Sequence, residues 1–238
     1  MFDGSLIVGC AECAVCVALI GALLGLDNIA IGQFMLAQPA VGAVLLGYVV
    51  GEPWLGVWSG LTFQLLWVGR VPVGAYVPPS APITAIAAVG MAAPLDAPLA
   101  SRAVLAAALA IPVGILAGRL DVWVKNRNVA VLHRAENDLL DGRAYALGGA
   151  VVKGTSIFFL KDFFLLLVAV FLGSIALSVA LDYAGPGWHR GLALAFAVSP
   201  AAGIAAAFKM YGRRRNIPAV VAGAGLAGIV AALFATLT

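Results

Sequence analysis

"QLLWVGRVPVGAYVPPSAP", residues 64–82, separates two long apolar stretches. Pro72, Pro78, Pro79 and Pro82 lack backbone N–H groups, and Gly69 and Gly74 add backbone freedom, so no regular helix runs through it. Its meaning depends on the solvent around it. The chain of 238 residues is 63% hydrophobic and 11% charged, with a mean hydropathy of +1.05. A soluble domain is about half apolar and about a quarter charged, so this chain has too little polar surface to stay in water. A membrane barrel shows short alternating segments, whereas these apolar runs are long and continuous. The chain therefore reads as an all-α, polytopic membrane protein with re-entrant or broken helices. Irregular backbone at membrane depth survives only where protein buries it or water reaches it. Broken helices of this kind offer free backbone groups to midplane substrate sites in transporters. The competing reading is a plain loop outside the membrane between Trp67 and Ile83, against which its scarcity of charge weighs.

A spanning helix needs about 20 mostly apolar residues. Outward from the quoted stretch, candidates are Leu6 to Leu26, Ile29 to Val50 (broken by Gln33, Gln38 and Pro39), Pro53 to Val68, and the short Ile83 to Ala93. Ala103 to Leu120, Ser156 to Leu181, Leu192 to Tyr211 and Pro218 to Leu237 follow. The whole of 1–238 reads as one transmembrane domain. A polar stretch, 121–143, interleaves charges with Val124, Val131, Leu132, Leu139 and Leu140 and predicts an amphipathic connecting helix. His133 within it stands alone and reads as a solvated histidine. The first apolar run has no Lys or Arg before it and carries Glu12, unlike a secretory signal, so the chain is expected to insert through its own spans.

Cys10, Cys13 and Cys16 are spaced C-x-x-C-x-x-C, but a four-iron cluster needs four thiolates and the chain has three cysteines. In an apolar helix they read as small packing groups. No metal or cofactor is expected. Glycines four apart (Gly21 and Gly25, Gly47 and Gly51, Gly56 and Gly60, Gly114 and Gly118) fit close helix approach in lipid. Polar side chains within spans are expensive unless satisfied, and they concentrate early: Glu12, Asp27, Asn28, Gln33, Gln38, Gln64 and Arg70. Glu52, flanked by Gly51 and Pro53, reads as a turn residue. Gln33 and Gln64 each offer two donors and an acceptor. Two uses stand side by side: holding a neutral polyol such as a sugar, or bonding helix to helix.

Residues 26–82 carry a resemblance. Leu26–Asp27, Gln33, Pro39, Gly51–Glu52, Gly60 to Gly69 with Gln64 inside, and Pro78–Pro79–Ser80 are similar to the motif series of the IIC membrane component of mannose/sorbose-family sugar phosphotransferase systems. "HRAENDLLDGRA" and "RRRNIPAVVAGAGLAGIV" extend the likeness to most of the chain. The resemblance implies a bacterial inner-membrane permease subunit that binds a hexose and moves it across the bilayer for phosphorylation by a IIB partner. It implies an elevator-type core, a IID membrane partner in a trimer of IIC–IID pairs, and IIA and IIB phosphocarriers. The IIC chain is then no enzyme itself. The residues expected at the substrate are Asp27, Gln33, Gln64, Pro78 and Ser80. The family has an aspartate where Ser80 stands, and often an arginine where Gln38 stands. Two other readings remain beside it. A secondary transporter outside this class has only Glu12 and Asp27 to offer as coupling carboxylates. A transport-inactive scaffold or sensor draws support from Ser80.

The net charge of +3 is small and fits loops facing a cytoplasmic leaflet, not a nucleic-acid surface. Positive charge gathers in 119–153 and again at Lys209, Arg213, Arg214 and Arg215, with two spans between. Both clusters then face the cytoplasm, while Trp188 to Arg190 and the C-terminus face outward. In a variant without the three native cysteines, a cysteine at Trp188 should react with an impermeant thiol reagent on intact cells and one at Arg214 should not. Labelling of the Arg214 position from outside would reverse the orientation.

Overall fold

The computed structural model describes residues 4–27, 32–69, 76–143 and 146–210, less the side chains of 146 and 207–210. Asn28, Arg70, Pro72, Gly74, Arg213 to Arg215 and the last expected span, Pro218 to Leu237, lie outside them. The described residues form seven helices and no strand: α1 (Gly4–Asp27), α2 (Pro39–Val49), α3 (Pro53–Trp67), α4 (Ala81–Ala92), α5 (Leu99–Leu140), α6 (Ala146–Asp182) and α7 (Pro186–Met210). By length and composition, α1, α5 and α6 can cross a membrane.

The helices flanking the quoted stretch are short. At 1.5 Å per residue α2, α3 and α4 measure roughly 16, 22 and 18 Å, below the roughly 30 Å of a hydrocarbon core. Of the expected spans 29–50 and 53–68, the parts that form α2 and α3 are the two arms of one helical hairpin. Prolines stand at the start of α2, α3 and α4, where the missing N–H costs nothing. Gly51 (φ 78°) makes the hairpin turn, closed by Glu52 N–H donating to Gly47 O at 2.7 Å. The arms touch backbone to backbone. A Cβ on Gly56 would lie 2.5 Å from Ala43 O, and one on Gly60 would lie 2.6 Å from Pro39 O.

Every residue of α4 from Ile83 to Ala92 is buried. A helix apolar on all sides belongs in a core, and α1, α2, α3, α5 and α6 all pack against this one. Its carboxyl end is met by Arg102, whose Nη1 donates to Ala92 O (3.1 Å) and Leu95 O (3.3 Å). Arg102 Nη2 forms an ion pair with Glu52 at 2.7 Å. Glu52 is thus both a turn residue and an anchor, tying the hairpin tip to the end of α4. A buried cation also suits the negative end of a helix dipole.

The polar stretch 121–143 is not a separate connector helix. Residues 121–140 continue α5 without a break, carrying it to roughly 63 Å. α6 returns antiparallel beside it, with Asn128 Nδ2 donating to Gly154 O at 3.4 Å. Exposed His133 lies 3.3 Å from Glu136. Helix α7 docks on α3 through Trp58, which stacks on Phe196 (4.8 Å between centroids) and donates to Phe196 O at 3.0 Å.

Breaking a buried pair costs about 3–5 kcal/mol because the remaining charge is left unmatched. Arg102→Ala should lower stability by about that much, since it also removes the guanidinium bonds to the carbonyls of Ala92, Ala93 and Leu95. Glu52→Gln should cost less. Melting of the purified protein in detergent measures this, and an unchanged melt for Arg102→Ala would show the anchor to be dispensable.

Candidate functional site

Helix registers determine which residues share a level. Gly21 of α1 meets Ile86 of α4, and Val17 meets Gly90, so the two helices run antiparallel and Asp27 comes level with Ser80. The Glu52–Arg102 anchor places the start of α3 at the end of α4, which brings Gln64 to the start of α4. Pro39 faces Gly60, so the segment before α2 lies at that same end. The sequence-predicted residues Asp27, Gln33, Gln64, Pro78 and Ser80 therefore gather at one end of the short helices.

They are held there in different ways. Asp27 is buried, and its two oxygens accept the backbone N–H groups of Phe34 (2.8 Å) and Ala37 (3.3 Å). A carboxylate has about four acceptor positions, so two remain. The segment it clamps is strained: Gly32, Gln33 and Met35 all have left-handed backbone, at φ 72°, 54° and 65°. Such conformations cost non-glycine residues about 1–2 kcal/mol each and cluster at functional sites. Gln33 is exposed.

Pro78 and Pro79 of the quoted stretch have a seat on α5. Residues 77–80 run as irregular backbone along α5, where Gly114 and Gly118 clear a path. Pro78 O would lie 2.5 Å from a Cβ on Gly118. Ser80 N–H donates to Gly114 O at 2.9 Å, and Ser80 O accepts from the hydroxyl of Thr84 at 2.8 Å. Ser80 is the N-cap residue of α4, but its side chain makes no cap bond. Gln64, half-buried on α3, has its Oε1 buried with no partner among the described residues. Two residues back, the buried Thr62 hydroxyl is also unpartnered, as is that of Ser59. Thr62 and Gln64 lie about 200° apart around the helix, so they serve different faces.

Two charged groups were missed in the sequence. Arg102 sits just before the expected span that starts at Ala103, and its signal was a lone Glu52 in need of a partner. Lys161 pairs with Asp121 of α5 and, at 2.8 Å, with Asp162. A Cβ on Gly25 would lie 2.9 Å from Asp162 Oδ2, so this network stands beside the end of α1 that carries Asp27. Its signal was a Lys–Asp pair inside an apolar run. Among the described residues no His, Cys, Asp and Glu group is arranged to hold a metal ion.

Short helices ending in irregular backbone, packed among membrane-length helices, define an all-helical membrane protein. The chain belongs to the family described as the sorbose-specific IIC component of the phosphotransferase system, which it matches over residues 13–237. No curated protein matches it. Among solved structures, one described only as a membrane protein aligns over all of this chain and 97% of its own, at 21% identity and a TM-score of 0.60. The mannose transporter ManYZ, solved in complex with microcin E492, aligns over 99% of this chain and 95% of the matched chain, at 20% identity and a TM-score of 0.50. These likenesses show the fold.

Hydrogen bonds to a charged group contribute about 1.5–3 kcal/mol each. Asp27→Ala should therefore free the 32–37 segment and speed its cleavage by protease in detergent, with a lower melting temperature. Unchanged cleavage would mean the left-handed turn holds itself.

Proposed function

We propose that this chain is the sugar-translocating IIC subunit of a mannose-type phosphotransferase permease. It binds a hexose near the level of Asp27 and Ser80 and carries it across the bacterial inner membrane, where a IIB partner phosphorylates it. A IID membrane subunit accompanies it, in a trimer of such pairs, and IIA and IIB domains relay the phosphate, so no catalytic residue is assigned here. The C-terminus lies outside the cell.

The observation that supports the hexose reading is the buried Gln64 Oε1, which has no partner among the described residues and lies toward the start of α4. A buried unpaired acceptor is costly, and a polyol hydroxyl is a donor that satisfies it. Membership of a family described as sorbose-specific supports a sugar as the substrate class. In this reading Gln64 accepts a sugar hydroxyl and Gln33 reaches another from the strained turn. The remaining acceptor positions of Asp27 take a third. Carbonyls around Pro78 supply further acceptors, and Ser80 contributes a hydroxyl.

Loss of one such bond is worth about 1–3 kcal/mol, or roughly 5- to 150-fold in affinity. Calorimetry of the purified complex with its IID subunit should show hexose binding weakened by that factor in Gln64→Ala, with the complex intact. A parent that binds hexose and a Gln64→Ala variant that binds it equally well would make the glutamine a helix contact and end this assignment.

A further inference from the structure

Glu12 lies on α1 in register with Val8, Val15, Leu19 and Leu23, at the three- and four-residue spacings of one helix face. All five are exposed, the apolar four by 57, 50, 47 and 52%. The other side of α1 (Ala14, Val17, Ala18 and Gly21) is buried in the core. The glutamate is thus on the outer, lipid-directed face.

Its depth follows from α6. Gly25 meets Asp162, Gly21 meets Leu166, and Val17 and Val170 converge on Gly90. Continued along the two antiparallel helices, this register sets Glu12 level with about residue 175. Residues 163–181 carry no charge, so Glu12 stands inside the hydrocarbon, roughly 9 Å from the end of that run. Lys and Arg at such a depth extend a long stem to the interface, and a glutamate is too short to do so. No described residue hydrogen-bonds or ion-pairs with it. A carboxylate at this depth is expensive and normally faces a partner or a cavity.

We infer that the Val8–Leu23 face of α1 docks a transmembrane helix of a different polypeptide, which presents a lysine, arginine or amide donor level with Glu12. Lipid tails offer no donor. A second copy meeting this face with its own would set Glu12 against Glu12, and like charges in low dielectric repel. The occupant is therefore not this same face of a second copy, and we commit to a helix of another subunit. The inference rests on the proposal of an accompanying IID subunit and says which face that subunit covers.

The experiment uses the full chain with Cys10, Cys13 and Cys16 replaced by alanine and a spin label at Leu19→Cys, in bilayers, with and without co-expressed IID subunit. Formation of the hetero-complex tests the accompanying proposal by itself. Within the complex, oxygen collision at the label should be lost, as at a buried site. Glu12→Lys should abolish co-purification of the partner, while Glu12→Gln, which keeps an acceptor, should retain it. A complex that forms with the Leu19 label still open to oxygen, or that survives Glu12→Lys unchanged, overturns the inference and leaves the IID reading standing. A chain that assembles with no IID subunit overturns both.

Discussion

A helix of twelve residues that is buried on every side has to find partners for both of its ends, and α4 organises the molecule around that requirement. No lateral position on it faces lipid or water, so its side chains are small or aliphatic, and five helices can close around it. Its last carbonyls receive Arg102, which brings in Glu52 and with it the tip of the α2–α3 hairpin. Its first residue is fastened through Ser80 N–H to the backbone of α5. Each fastening crosses between elements that would otherwise only touch. The glycines follow from this: Gly114 and Gly118 make room for the incoming strand of backbone, and Gly56 and Gly60 let the hairpin arms close.

The two ends of α4 are finished differently, and the proposed binding role is assigned from that difference. At the carboxyl end a full charge is paired and buried, an arrangement that is rigid because displacing either partner exposes the other. At the amino end the fittings are neutral and partial: a serine that does not cap, an unpaired glutamine oxygen, and a clamped turn with three left-handed residues. Open acceptors and a strained turn at one end, against a paired charge at the other, are why the proposed hexose site is assigned to the amino end and the anchor to the carboxyl end.

Composition and run length made the fold class legible, because an apolar fraction this high admits one solvent. α1 was legible to within two residues, since its run ends in Asp27 and is not interrupted. The hairpin was not: 29–50 and 53–68 each look like a poor span, and only the contacts of Gly47, Gly56 and Gly60 show them to be arms of one element. Continuity of α5 through 121–140 was hidden because a change from apolar to polar composition marks where the membrane ends, not where the helix ends. Among the polar groups, single residues such as Gln64 and Asp27 stood out against apolar neighbours. Arg102 and Lys161 did not, because their meaning lies in partners 50 and 40 positions away.

Ser80 shows how far the departure from the family pattern reaches. Its position is the N-cap of α4, and aspartate and serine rank together as N-cap residues. The backbone therefore has no reason to change between them: the bond to Gly114 O and the one from Thr84 both use main-chain atoms of residue 80. What the serine removes is a negative charge at the positive end of a buried helix dipole. The site keeps its shape and loses an anionic acceptor that would have been held in place by the helix itself. Asp27 becomes the carboxylate nearest to that level on α1, and its oxygens are already half engaged by backbone. In the proposed reading a substrate here meets carbonyls, amide and hydroxyl more than charge, which suits the neutral polyol proposed above better than a cation.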